Sequence, residues 1–243
     1  MRHFLPFCLM AVLLLLPQVA SAQDLSISLG DEGSISARTV QLFALITVLS
    51  LAPGLAIMVT CFPFLVTVLS ILRQAIGLQQ SPPNMLIVSL ALFLTYFIME
   101  PVFSAAWING IGPLTREEID VEQAFLRTLE PFRIFMAARL DPDTFFAMAE
   151  LRPDTIAAEP TPDAPLSILV PSFMLSEISR AFQIGFLIYL PFLIIDLVVA
   201  AILMSMGMMM VPPAVVSLPF KLAFFVVADG WALIAGSLVR SYF

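Results

Sequence analysis

The sequence predicts an all-α membrane protein of long, kinked helices: about four apolar helical segments in two hairpins, with an acidic, partly helical periplasmic insertion between them. Three observations predict it. Hydrophobic residues are 60% of the chain and charged residues only 12%, with a mean hydropathy of +1.00. Water-soluble domains show about 45–50% apolar and about 25% charged residues. Apolar stretches of spanning length recur and are interrupted by prolines. Finally, the negative charge has one address, from Gly110 to Pro165: Glu117, Glu118, Asp120, Glu122, Glu130, Asp141, Asp143, Glu150, Asp154, Glu159 and Asp163 outweigh Arg116, Arg127, Arg133, Arg139 and Arg152. The formal net charge of −7 argues against nucleic acid as a partner, because phosphate contacts need a basic surface.

Residues 1–22 carry the three parts of a secretory signal peptide. Arg2 is the basic start, Phe7–Leu16 the apolar run, and Ala20-Ser21-Ala22 the small-x-small cleavage site. The apolar run is shorter than the roughly 20 residues a span needs. Cleavage after Ala22 removes His3 and Cys8 and leaves Cys61 as the one thiol. An intrachain disulfide, a His/Cys zinc site and His-dependent nucleophilic chemistry are then unavailable, and no cofactor is expected. Residues 23–39 form a short polar segment outside the cytoplasm.

Residues 40–107 are read as the first hairpin. Val40–Leu72 is apolar but broken by Pro53-Gly54 and Pro63, and predicts one broken helix, or a helix with a re-entrant turn. A polar turn with Arg73, Gln80, Pro82, Pro83 and Asn84 follows, then a helix to Trp107 with Glu100-Pro101 near its far end. Residues 108–165 are the acidic segment. Its Phe125, Leu126, Leu129, Phe132, Ile134, Phe135 and Met136 recur at helical spacing, while Arg152–Pro165, with four prolines, reads as extended or disordered. Residues 166–243 are the second hairpin: a long helix over Leu166–Met206 bent at Pro191, a loop, and a last helix over Ala214–Leu238. With the N-terminus exported, four spans put Arg73 and the methionine-rich loop in the cytoplasm and the acidic segment in the periplasm. The five exported arginines run against the positive-inside rule, which weakens for loops near 60 residues.

Six ionisable residues lie within or beside apolar segments: Glu100, Glu177, Arg180, Asp196, Lys221 and Asp229. A charge at mid-bilayer costs about 3 kcal/mol on insertion scales, so each needs a partner or a polar cavity. Lys221 is the only lysine in the chain. Glu177 and Arg180 have the i,i+3 spacing of a helical pair; alternatively Glu177 meets Lys221, and Asp196 or Asp229 meets Arg180. The bland assignment is ion pairing that holds helices or subunits in register, the sharper one contact with a transported ion.

Met204-Ser205-Met206-Gly207-Met208-Met209-Met210, before Pro212-Pro213, is the most unusual string. Methionine is unbranched and polarizable, and repacks around differently shaped neighbours. Its plain reading is filler at a helix turn; its functional reading is a deformable apolar constriction of the kind that gates pores by dewetting. Asp196 and Asp229 on neighbouring apolar segments raise the idea of an intramembrane aspartyl protease, but the Gly-x-Gly-Asp string of such enzymes is absent. Phosphate loops and nucleophile elbows are absent too. No enzyme is expected.

Three blocks resemble the FliP family, the flagellar relatives of the virulence-secretion R proteins. They are Leu69–Asn84 running on to Leu90-Ala91-Leu92-Phe93-Leu94-Thr95, then Phe182–Leu187 with Pro191–Asp196, then Met204–Met210 with Pro212-Pro213, Leu218-Pro219-Phe220-Lys221 and Asp229-Gly230-Trp231. The resemblance implies a subunit of the flagellar type III protein export gate in the bacterial inner membrane. It implies a homopentamer that forms a pore with FliQ and FliR, beside other export-apparatus membrane proteins, lipid and unfolded export substrates. It places Met208, Met209 and Met210, with Met206 beside them, at the constriction. It also implies intersubunit ion pairs, for which Glu177 and Lys221 are the natural candidates. The rival class is a small secondary transporter or ion channel with Glu177, Arg180 and Asp196 as its relay; that class predicts internal repeats, and none is visible.

Overall fold

The computed structural model describes residues 32–77, 83–152, 158–208 and 210–243. The expected signal peptide (Met1–Ala22), Gln80, Pro82 and Met209 lie outside the described residues. The chain divides into one unit up to Ser50 and another from Leu51 to Phe243.

Helix α1 spans Glu32–Met58 and carries Pro53 without ending there. Between Thr39 and Ser50, in the first unit, its side chains are all exposed. The hydroxyls of Thr47 and Ser50 turn inward, donating to the carbonyls of Phe43 at 2.7 Å and Thr47 at 2.8 Å. That arrangement suits a helix bathed in hydrocarbon, where no water serves a free hydroxyl.

The second unit is built on α2 (Phe62–Ile76). The break before it falls at Val59–Cys61, not at Pro53. Pro63 sits in the first turn of α2, where its missing N–H has no intrahelical acceptor to lose. Gly77 ends the helix at φ 87°, with its N–H on the Gln74 carbonyl at 3.0 Å. Phe64, Leu65, Val68, Leu69, Leu72, Ala75 and Ile76 are buried along this helix. They pack chiefly against α7 (Leu166–Ser205), and also against α3 (Asn84–Ala106). The two anticipated hairpins are therefore interleaved: α2 touches the second more than its own partner.

Helix α3 continues through a π-helical turn, Trp107–Ile111, into the short α4, Gly112–Thr115. A Cβ on Gly110 would lie 2.0 Å from the Thr128 hydroxyl, so glycine lets the next helix lie against this turn. That helix is α5 (Val121–Arg139), followed by α6 (Pro142–Glu150). Asp120 caps α5 by accepting from the Gln123 N–H at 2.8 Å, and Asp141 caps α6 by accepting from the Thr144 N–H at 3.0 Å. The Thr144 hydroxyl also bonds Asp141, at 2.7 Å, and together these bonds hold its carboxyl below the usual range. Where described, the Pro-rich tail is folded rather than loose. Arg133 donates to the carbonyls of Pro162 and Ala164, both at 2.9 Å. Proline lacks a donor but keeps an acceptor, which an arginine can use.

Helix α7 is the expected single long helix, continuous for 40 residues through Pro171 and Pro191. The expected last helix is two, α8 (Pro213–Val227) and α9 (Gly230–Arg240), bent by 61°. Thr39–Met58, Asn84–Thr115 and Leu166–Ser205 are long and apolar enough to cross a membrane, and α8 with α9 makes a fourth if counted as one bent span.

Helix α2 crosses α7 closely. A Cβ on Gly185 would stand 2.4 Å from Ile71 Cδ1 and 3.1 Å from its Cγ2. Gly185→Ala is therefore expected to lose about 1–3 kcal/mol through overpacking. Ile71→Val, which removes the Cδ1 methyl, should return part of that. Unfolding midpoints of the two singles and the double in detergent test this, and a purely additive double would refute the contact.

Candidate functional site

Three features gather the chemistry of the second unit. The first ties α2, α7 and α8 together at one point. Lys221, on α8, is buried, and its Nζ donates to Asp196 Oδ2 on α7 at 2.6 Å and to the Ala75 carbonyl on α2 at 3.1 Å. The other Asp196 oxygen accepts from the Ser217 hydroxyl at 2.5 Å. Ala75 lies in the last turn of α2, where carbonyls lack helical N–H partners and the helix dipole favours a cation. One ammonium thus serves a carboxylate and a helix end together.

The second feature is a buried carboxylate on α7. Glu177 is fully buried. Its Oε1 accepts from Arg139 Nε at 3.2 Å, and its Oε2 accepts from the Tyr242 hydroxyl. Arg139 Nη2 is also 3.2 Å from Oε1 but off line, and makes no hydrogen bond. Arg180 is a looser neighbour at 3.9 Å and is one-third exposed. Arg139 sits over the Tyr242 ring, 3.9 Å from its centre, and donates through Nη1 to the Ser241 carbonyl at 2.7 Å. Tyr242 also stacks on Phe135 and meets Phe64 edge-on.

The third feature is the methionine loop between α7 and α8. Gly207 closes α7 at φ 78°, and the Met208 N–H reaches back to the Leu203 carbonyl at 3.0 Å, the six-to-one bond of a Schellman turn. This geometry projects apolar side chains outward. Met206 is 65% exposed and Met210 97%, while Met208 is partly sheltered. Behind the loop, an apolar cavity of about 520 Å³ between α7 and α8 is lined by Ile202, Leu203, Met206, Met208, Val216 and Phe220, among others.

The remaining expected residues stand apart. Arg73 bonds the Asn84 side chain across the polar turn, where Pro83 precedes α3. Glu100 and Asp229 are exposed and have no ion pair among the described residues. The structure does not bring Glu177 to Lys221, nor Asp196 or Asp229 to Arg180. Arg139 and Tyr242 were not anticipated. Arg139 reads in sequence as one more counterion in an acidic stretch, and nothing local marks Tyr242. The pairing of Asp196 with Lys221 does have a signal: the two lie nearly the same number of residues from Met209 on either side, so an antiparallel hairpin turning there sets them level.

Comparison with known proteins gives one consistent result. Residues 45–238 match the model of the FliP family. Among similar proteins, the flagellar biosynthetic protein FliP of Agrobacterium fabrum is 49% identical over 236 residues, covering 96% of both chains. That of Caulobacter vibrioides is 50% identical, covering 94% of this chain and 86% of the relative. That of Bacillus subtilis is 45% identical, covering 88% of this chain and 96% of the relative.

Proposed function

The chain belongs to the FliP family, and from that premise we propose that it is a pore-forming subunit of the flagellar protein export gate, closed by its methionine loop. It is a membrane component of the flagellar export apparatus, works with other export proteins, and is a structural part rather than an enzyme. The finer reading is a homopentamer joined by FliQ and FliR in the inner membrane, made with a signal peptide cut after Ala22. Unfolded flagellar proteins pass through its centre.

One observation carries this reading: beyond the turn that closes α7, Met210 is 97% exposed, and Met206 is 65% exposed. Large apolar side chains held outward by a defined backbone are suited to meeting equivalents from other copies. Several such chains around an axis make a ring that excludes water, yet each thioether can rotate aside for a passing polypeptide.

Replacing Met208, Met209 and Met210 with alanine should leave the subunit in the membrane and raise the ion conductance of cells making the export apparatus by about tenfold or more, as dewetted constrictions open steeply with radius. Single-channel or dye-leak recordings would read it. Conductance unchanged from wild type, with the variant present at normal levels, would remove the sealing role.

A further inference from the structure

Helix α9 is attached at both ends by unlike devices. At its start, Asp229 holds a left-handed backbone, φ 49° and ψ 48°, between two helices bent by 61°. An L-residue rarely adopts this conformation, although aspartate tolerates it better than most. Its side chain caps nothing, so the bend is set by the backbone and by packing at Gly230, where a Cβ would meet the Phe225 ring at 2.2 Å. Single residues of this kind absorb large dihedral changes at hinges.

Beyond the other end, Ser241 and Tyr242 close on the Arg139–Glu177 pair. Arg139 ends α5, in the water-facing insertion, and Glu177 lies on α7, among the apolar helices. The Ser241 carbonyl takes Arg139 Nη1, the Tyr242 ring covers the guanidinium, and its hydroxyl takes the second Glu177 oxygen. The same ring lies between Phe64 of α2 and Phe135 of α5. Along α9 itself the fit is mixed: Gly230 and Leu238 are buried and Ile234, Ala235 and Val239 pack partly against the core, while Trp231 and Leu233 are exposed.

We propose that α9 is a strap, hinged at Asp229 and latched through Tyr242, whose closure docks the acidic insertion onto the apolar helices. A neighbour that lifts α9 would uncover Arg139 and Glu177 and so loosen α5 and α6, carrying a signal from the membrane helices to the insertion. This coupling is independent of the pore reading above.

Hydrogen exchange of the full chain in detergent tests it. In Tyr242→Ala, amides of α5 and α6 should exchange about tenfold faster than in wild type while those of α2 keep their protection, the mark of a local opening. Tyr242→Phe keeps the ring and loses only the bond to Glu177, and guards against an alanine variant that does not accumulate; it should show a smaller rise, about threefold, in the same helices. No rise in either variant, or a rise shared equally by α2, would overturn the proposal.

Discussion

Replacing Lys221 with methionine is expected to cost about 3 kcal/mol of stability. The range for breaking a buried ion pair is about 3–5 kcal/mol, and the low end applies because the Asp196 side chain is 29% exposed. Methionine matches the length of the lysine stem, so the packing among α2, α7 and α8 survives while the charge and its hydrogen bonds go. Two groups are then stranded: an unpaired carboxylate on an apolar helix, and the Ala75 carbonyl in the last turn of α2. Against a total stability of about 5–15 kcal/mol, the loss should show as a large fall in protein recovered from membranes. Lys221→Glu should be worse, since it sets two carboxylates together. The partner assignment makes a sharper claim: Asp196→Lys should partly rescue Lys221→Glu, and Glu177→Lys should not. Rescue by Glu177→Lys alone would show that the pairing seen within one chain is not the one that matters.

This experiment separates what sequence carries from what it does not. The spanning segments are legible because hydrocarbon imposes composition over whole helices: the expected Asn84–Trp107 and Leu166–Met206 compare with helices over Asn84–Ala106 and Leu166–Ser205. Breaks are not, because a proline's effect depends on its neighbours. Pro53 sits inside a continuous helix, while the breaks fall near Thr60 and at Asp229. That Lys221 must have a partner was legible from one cation in apolar sequence. The partner is less legible, since four carboxylates on apolar segments look alike: Glu177 is the sequence candidate, whereas within this chain the hairpin sets Asp196 opposite. Arg139 was hidden more deeply. It lies 38 residues from Glu177, in a stretch whose acids offer closer partners, and only the docking of α5 on α7 selects it.

Glu177→Leu is expected to cost about 3–5 kcal/mol, because it leaves the Arg139 guanidinium without its counterion in a buried site. The Arg139 side chain is 13% exposed, so water does little to compensate. Arg139→Leu should be comparably severe, leaving a carboxylate with no exposure only the looser, partly exposed Arg180 at 3.9 Å. The double variant Glu177→Leu/Arg139→Leu removes both charges and should be more stable than either single, since neither member of the pair is then left as a buried charge without its partner. Arg139→Lys should fall between: one ammonium keeps the charge but cannot span both the carboxylate and the Ser241 carbonyl in the planar fork that arginine provides. Unfolding midpoints of the four proteins give the coupling directly. If the double were as unstable as the sum of the singles, the two residues would be acting separately, and the buried pair would not be what joins the insertion to the membrane helices.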